Sequence, residues 1–331
     1  MKNILTIGTA LQDITFSTNE GRILNTPQNL TAQKMLAFEL GAKFNIKTAD
    51  FTFGGGGANI AVGLAKLGQK TAILTCLGND FLADEIIKNL KKYKVATNFI
   101  ERSNQNSALA FILSAENYKN EHTIFIQRGA SEDLKINFSE LSQPKSKNSQ
   151  FDLIYLSSLS GRYAKNNLAN IFQYKTNFSG VKMVWNPGYE QIKMGLKNLA
   201  PYLKNTSAFI INKDEALELC VDSKSRKNIN NPRILLKILS AYIQNTIIIT
   251  DGANGAYAFD NNKIYYAPSK KIIAKNTTGV GDAFGAGFTW AYLIMGFNLE
   301  KSLNLGIKNS LSVLTKVGAQ EGLLNQAEIL Q

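Results

Sequence analysis

Between residues 153 and 250 the chain repeats one pattern: a short aliphatic run, then a longer amphipathic stretch. The runs lie at 153–156, 181–185, 208–211 and 247–250, and helical spacing of apolar residues follows at about 164–175, 189–203, 214–220 and 232–243. Predominantly apolar strands of this kind are covered on both faces, which happens in parallel sheets packed between helices. The alternation therefore predicts βαβ units and an α/β fold with a mainly parallel central sheet. Such a sheet brings the carboxyl ends of its strands to one edge, and ligands bind there. Three of the runs end in polar groups: Asn186-Pro187-Gly188, Asn212-Lys213-Asp214-Glu215 and Thr250-Asp251-Gly252-Ala253-Asn254-Gly255. Each alone reads as a turn or a helix cap. Together, at successive strand ends, they read as ligand groups.

The N-terminal half is less regular. Residues 3–7 form an apolar run ending in Gly8, a buried strand, and Asp13 comes soon after it. A lone Asp is commonly a turn residue, but this one stands where an open sheet places ligand groups. Residues 17–50 are polar and irregular, apart from the alternation of Phe38, Leu40, Ala42, Phe44 and Ile46, which predicts a half-exposed strand. Gly54-Gly55-Gly56-Gly57-Ala58-Asn59 then leads into a helix ending at Leu67-Gly68. Four consecutive glycines suit a hinge, a flexible surface turn, or a place where a ligand lies against bare backbone. Asn59 directs an amide towards whatever the glycines admit.

A strand at 71–77 and an amphipathic helix at 81–93 follow. Runs at 107–114 and 122–127 predict a hairpin with a polar turn. With 38–46 they make a small antiparallel sheet apart from the main one. Arg128, just after the second run, reads as an exposed cation or as a contact for an anionic ligand. A second hairpin, 257–259 with 263–267, turns at Asp260-Asn261-Asn262, and a last helix is expected over 302–317.

The stretch Asn276-Thr277-Thr278-Gly279-Val280-Gly281-Asp282 opens a helix whose Ala283, Phe284, Gly287, Phe288, Ala291 and Met295 are spaced for burial. A glycine-opened helix start offers free N–H groups and a positive dipole end, hence an anion site. Asp282 in that first turn is an ordinary first-turn acid or a group acting beside a phosphate.

Composition narrows the classes. The net charge of +12 comes from lysines scattered without a dense block, so solvated surface charge is expected and dedicated nucleic-acid binding is not. Two distant cysteines, Cys76 and Cys220, argue for a reducing compartment and against a disulfide framework. One histidine, His122, leaves no His-based triad or multi-histidine metal site. The first apolar run is too short for a signal peptide and no run reaches a membrane span, so a cytoplasmic protein is expected. One domain over 1–331 is predicted, with a lid built from about 14–52 and 105–130.

These blocks, in this order, resemble the ribokinase/PfkB-like carbohydrate kinases over nearly the whole chain. Gly55-Gly56-Gly57-Ala58-Asn59-Ile60-Ala61 and Asn276-Thr277-Thr278-Gly279-Val280-Gly281-Asp282 carry the resemblance, with Asn212-x-x-Glu215 and Thr250-x-Gly252-x-x-Gly255 between them. No Walker-type loop and no intact Gly-x-Gly-x-x-Gly after the first strand compete with it. The resemblance implies a ribokinase-like three-layer sandwich with a small β-sheet lid. It also implies ATP- and Mg²⁺-dependent phosphorylation of a sugar CH₂OH, with a nucleoside as the alternative acceptor. A catalytically silent regulatory or nucleic-acid-associated member is a further alternative.

By the same resemblance Asp282 is the catalytic base, and the N–H groups of Gly279, Val280, Gly281 and Asp282 form an anion hole. Glu215 and Asn212 place Mg²⁺ through water. Thr250, Gly252 and Gly255 contact nucleotide phosphates, and Asn309 lies near the base. Asp13, Gly55, Gly56 and Asn59 contact the substrate, with Arg128 as a further contact, and the lid can pair two copies as a homodimer. Asn276 stands where the family usually has an Asp that helps bind potassium, so the implied cation site lacks its carboxylate. Val280 replaces a commoner Ala in the anion hole.

Overall fold

The chain opens with β1 (Asn3–Ile7) and leaves for a separate sheet through β2 (Leu11–Thr18), the β3–β4 hairpin (Arg22–Asn25, Lys34–Ala37) and β5 (Ala49–Gly54). Helix α1 (Gly56–Lys66) returns it to β6 (Lys70–Gly78), α2 (Phe81–Lys92) and β7 (Ala96–Ser103). A second excursion makes β8 (Leu109–Ala115) and β9 (Glu121–Gln127). From β10 (Leu153–Leu156) the path is regular: α3 (Ala164–Asn177), β11 (Lys182–Trp185), α4 (Tyr189–Lys193), α5 (Leu196–Leu203), β12 (Ala208–Asn212), α6 (Lys213–Cys220), α7 (Pro232–Leu239) and β13 (Thr246–Thr250). The hairpin of β14 (Ala256–Asp260) and β15 (Lys263–Ala267) precedes α8 (Val280–Thr289), α9 (Leu299–Leu314) and α10 (Gln326–Leu330). This computed structural model describes residues 1–28, 34–46, 48–115, 121–138, 150–220 and 230–331.

The main sheet has nine strands in the order β15-β14-β13-β12-β11-β10-β1-β6-β7. All neighbours from β13 to β7 run parallel, and the β14–β15 hairpin adds an antiparallel edge. Its two faces carry separate cores. Ile7, Leu156, Trp185 and Phe209 pack with residues of α3 to α7 on one side. Ile4, Tyr155, Val184 and Ile210 pack with α1, α8 and α9 on the other. Alternate residues of one strand thus serve opposite helical layers, and the sandwich has three layers.

Strand order reverses between β1 and β10: one run of strands proceeds outward through β6 and β7, the other through β11, β12 and β13. An open sheet has its natural crevice at such a switch point. The chain ends β1 there at Gly8 and β10 at Ser157.

The small sheet differs from the expectation. Its order is β5-β2-β8-β9, with β2 and β8 parallel and the other pairs antiparallel. The hairpin of β8 with β9 is present, while its expected polar turn at 116–120 lies outside the described residues. The alternating residues 38–46 are not a strand. The chain turns at Leu40-Gly41, with Gly41 at φ 79°, so Phe38 and Phe44 meet edge-on at 5.0 Å while Leu40 stays exposed. The strands actually used, β2 and β5, flank the segment. The stretch expected as one helix over 189–203 is two, interrupted at Gly195 with φ 76°. The last long helix starts three residues early because the Asn298 side chain caps it, accepting from the Lys301 N–H at 2.8 Å.

Candidate active site

Four glycines, Gly54 to Gly57, run from the end of β5 into the start of α1, and each is needed by a different neighbour. A Cβ on Gly54 would overlap the Asp13 carboxylate, and one on Gly56 would overlap the Ser157 hydroxyl and lie 3.5 Å from Asp282 Oδ1. A Cβ on Gly57 would come within 2.7 Å of the Gly8 backbone, and one on Gly55 would strike Thr9. The stretch is therefore neither a loose surface turn nor filler. It is bare backbone that lets a carboxylate, a strand end and a helix start crowd into the β1/β10 crevice.

Helix α8 starts over the same crevice. Its N-cap is Gly279, in the left-handed region at φ 74°, and no side chain caps the end. Asn276 shapes the approach by accepting the Thr278 N–H on its Oδ1 at 2.6 Å. Ser310 and Asn309 of α9 hold the first turn from behind, donating to the carbonyls of Val280 and Ala283. The first-turn N–H groups are left pointing out of the helix end, where the dipole favours negative charge. Nothing stands within 4 Å of a notional Gly281 Cβ, so this end is open.

It opens into a cavity of about 640 Å³, lined by Val280 and Gly281, by the strand ends Asn212 and Thr250, and by Gly252 and Gly255. Phe284, Ile307, Leu311 and Leu314 give it an apolar wall, and the segment 269–272 closes it with Lys270 and Lys271. The volume suits a ligand of nucleotide size. Asn212 and Thr250 are register partners on neighbouring strands, and Lys213 pairs with Asp251 at 3.7 Å to tie the two loops together.

Asp282 lies on the other side of the helix start, towards α1 and the small sheet. Its Oδ2 accepts from Asn59 Nδ2 at 2.8 Å. Burial raises its carboxyl above the ordinary range, and the Asn59 bond opposes that rise. Asp13, 3% exposed on β2, brings a second carboxyl whose Oδ2 has no hydrogen-bond partner. Burial first and the Asp282 charge second push it up to about 7. Glu215 is likewise lifted to about 7, by burial and then by Asp214, Glu218 and Asp282, against the pull of the Asn212 N–H. A chain of net charge +12 thus keeps an acidic centre.

Asn212 and Glu215 form a reciprocal cap at the start of α6: Glu215 N–H donates to Asn212 Oδ1, and Asn212 N–H donates to Glu215 Oε2, each at 2.8 Å. Among the described residues no cluster of three acidic, His or Cys side chains is gathered to hold a metal. A dehydrated ion held by protein alone does not fit this pair. A hydrated Mg²⁺, which keeps most of its waters and needs one or two oxygen groups, does.

The structure brings together Asp13, Gly55, Gly56, Asn59 and Asp282 at the crevice, and Asn212, Thr250, Gly252, Gly255, Val280 and Gly281 at the cavity. Asn309 departs from the expectation that it lies near a nucleotide base. It is 0% exposed, donates to the Ala283 carbonyl and accepts the Leu324 N–H, so its amide is spent between helices, and Ile307, Ser310 and Leu311 face the cavity instead. Arg128 lines a different cavity of about 690 Å³, shared with Arg162, Glu132 and Asp133. The sequence reading missed Ser157, Tyr155 and Gln320. Ser157 and Tyr155 bear on the crevice from β10, and their only signal was their place at the end of an aliphatic run.

The sequence matches the pfkB family carbohydrate kinases over residues 25–326. The chain belongs to that family. Its relatives include a protein of Archaeoglobus fulgidus described as an uncharacterized sugar kinase, 26% identical over 79% of this chain and 98% of its own length. The nucleoside kinase of Methanocaldococcus jannaschii is 23% identical over 86% of each chain. Among solved structures, ribokinase of Thermotoga maritima superposes with a TM-score of 0.76 at 22% identity, covering 100% of this chain and 98% of that one. Ribokinase of Cryptococcus neoformans in complex with ADP gives 0.74 at 20%, covering 100% and 99%. The α/β sandwich with its small sheet is thus the ribokinase-like fold.

Proposed function

We propose that the protein transfers the γ-phosphoryl group of ATP to a primary hydroxyl of a sugar. The observation that carries this is Asp282, held by Asn59 at the wall between a nucleotide-sized cavity and a crevice roofed by the small sheet. The acceptor lies in the crevice against Gly55, Gly56 and Asp13, whose unpartnered Oδ2 takes a substrate hydroxyl. Its CH₂OH meets Asp282, which accepts the hydroxyl proton as the new O–P bond forms and the bond to ADP breaks. Positioning and charge stabilisation do most of the work in such a transfer. The N–H groups of Gly279, Val280, Gly281 and Asp282 receive the negative charge on the phosphoryl oxygens. Glu215 and Asn212 would hold Mg²⁺ through water, and that ion would neutralise phosphate charge when bound. Thr250, Gly252 and Gly255 face the phosphates across the cavity. Asn276 spends its carbonyl oxygen on Thr278, so we assign no monovalent cation to it.

A panel of sugars and nucleosides supplied with ATP and Mg²⁺ tests the reading by ADP release. A sugar-dependent signal that disappears on removing Mg²⁺ is expected. A signal restricted to nucleosides would give the acceptor class of the archaeal relative instead, and no acceptor-dependent release across the panel would defeat the kinase reading.

The roof carries an apolar outer row. Phe51, Ile14, Phe111 and Phe125 are register neighbours across all four strands, and the three phenylalanines are 63%, 40% and 56% exposed. Contiguous exposed aromatics mark an interaction surface, and we assign it to a second copy of this chain. Sedimentation velocity should find a dimer in the parent and a monomer in Phe111→Glu. A monomeric parent, or a dimeric variant, would discard that assignment.

A further inference from the structure

Asn59 does not act on Asp282 alone. Its Oδ1 accepts from Gln320 Nε2 at 3.1 Å, and Gln320 Oε1 accepts from Asn89 Nδ2 at 2.8 Å. Asn59 and Gln320 are 2% and 3% exposed. Three amides therefore stand head to tail from α2 through the turn after α9 to α1, and the last N–H points at the Asp282 carboxylate. A primary amide can present either its N–H₂ or its oxygen to a neighbour, and the two ends have nearly the same shape. Turned over, Asn59 would set a carbonyl oxygen against a carboxylate. What prevents this is the donor behind it.

We infer that Gln320 is a positioning residue for phosphoryl transfer: it locks the Asn59 amide with its N–H towards Asp282, and so fixes which carboxylate oxygen remains to take the acceptor's proton. The inference rests on the reading of Asp282 as the base. Oδ2 is occupied by Asn59, while Oδ1 faces Gly56, the bare backbone of the crevice floor. Asn89 donates to Gln320 in turn, so the chain of amides begins at a half-buried position on α2 and ends at the Asp282 carboxylate. The titratable groups bearing on Asp282 are Asp13 from β2, Glu215 from α6 and Tyr155 from β10. The Asp282 charge raises the pKa of all three, and on Asp282 itself burial acts against the ionised form while the Asn59 N–H steadies it. Glu321, next to Gln320, bears on Lys66.

The test is the single-turnover transfer rate against pH for Gln320→Glu and Gln320→Met. Glutamate still accepts from Asn89 but offers Asn59 no donor, and draws its N–H₂ round. Methionine keeps the volume and the neutrality and removes the donor. Losing a hydrogen bond to the charged form raises a carboxyl pKa, so the acid limb should move to higher pH, by about one unit in the glutamate variant and a few tenths in the methionine variant. Rates at pH 7 should fall about tenfold and about threefold respectively. Profiles that superimpose on the parent's, or lower rates with an unmoved acid limb, would overturn the inference and leave Gln320 a packing residue. If the glutamate variant does not fold, the methionine variant decides alone. Asp282→Asn separates the two levels: an active Asp282→Asn enzyme defeats the base itself, whereas an inactive one with unmoved Gln320 profiles defeats only the positioning role.

Discussion

Asp282→Asn is expected to lower turnover by about 10²–10⁴-fold, the range for removing a positioned general base, while nucleotide affinity stays within about threefold of the parent. The separation follows from geometry. The cavity is lined by Val280, Gly281, the Asn212 and Thr250 strand ends and the α9 wall, and Asp282 faces the opposite way, towards Asn59 and the crevice. Asparagine is close in size and keeps the helix start intact, but it cannot accept a proton at neutral pH. Nucleotide binding by calorimetry and ADP release with the best acceptor check the two halves. Near-parental turnover would remove Asp282 from the reaction, and a lost nucleotide affinity with it would mean that the crevice and the cavity are one site.

Asp13→Asn should do two opposite things: weaken acceptor binding about 100-fold and stabilise the free protein above pH 7. Asp13 is 3% exposed, its Oδ2 is unpartnered, and Asp282 stands near. Folding lifts its pKa from the ordinary 3.8 to about 7. The folded chain therefore holds more protons than the unfolded chain between those values, so stability is lost as pH rises through that window. An amide carries no such penalty, and removing it should stabilise the protein by about 2–4 kcal/mol above pH 7, fading towards pH 4. Urea midpoints across pH give this directly. A parent and variant with parallel pH–stability curves would show that the carboxyl is not strained by its site. Unchanged acceptor KM would show that it does not bind substrate. Functional groups held at a cost to stability are the usual reason such a trade appears.

How far the sequence discloses this molecule depends on where a residue's partner lies. Strands β10 to β13 were legible because burial on both faces leaves them apolar, apart from Lys182 at the exposed start of β11, and the polar strand ends were legible because the chain returns to one edge each time. Strand β2 was not, since Gln12, Asp13 and Thr15 interrupt its apolar residues, and one of those interruptions is the site itself. Strand β7 forms an edge and carries Asn98, Glu101 and Arg102, so it looks like loop. The false strand at 38–46 had the right alternation, but a left-handed glycine turns it back so that its aromatics meet each other. The glycine quartet was noticed for its cost, yet its reason depends on Asp13, Thr9, Ser157 and Gly8. The amide chain could not be found at all, because Gln320 lies 231 residues from Asn89 and 261 from Asn59.

The backbones of Gly8 and Gly57 touch, and the Ala58 N–H donates to the Thr9 carbonyl at 3.2 Å, so the excursion that supplies β2 and β5, two of the roof's four strands, departs and comes home through a single gap. A loop pinned at its neck can lengthen cheaply, since each doubling adds only about 0.6 kcal/mol of closure entropy. The intervening stretch can therefore vary in length at little entropic cost to the frame from which it hangs.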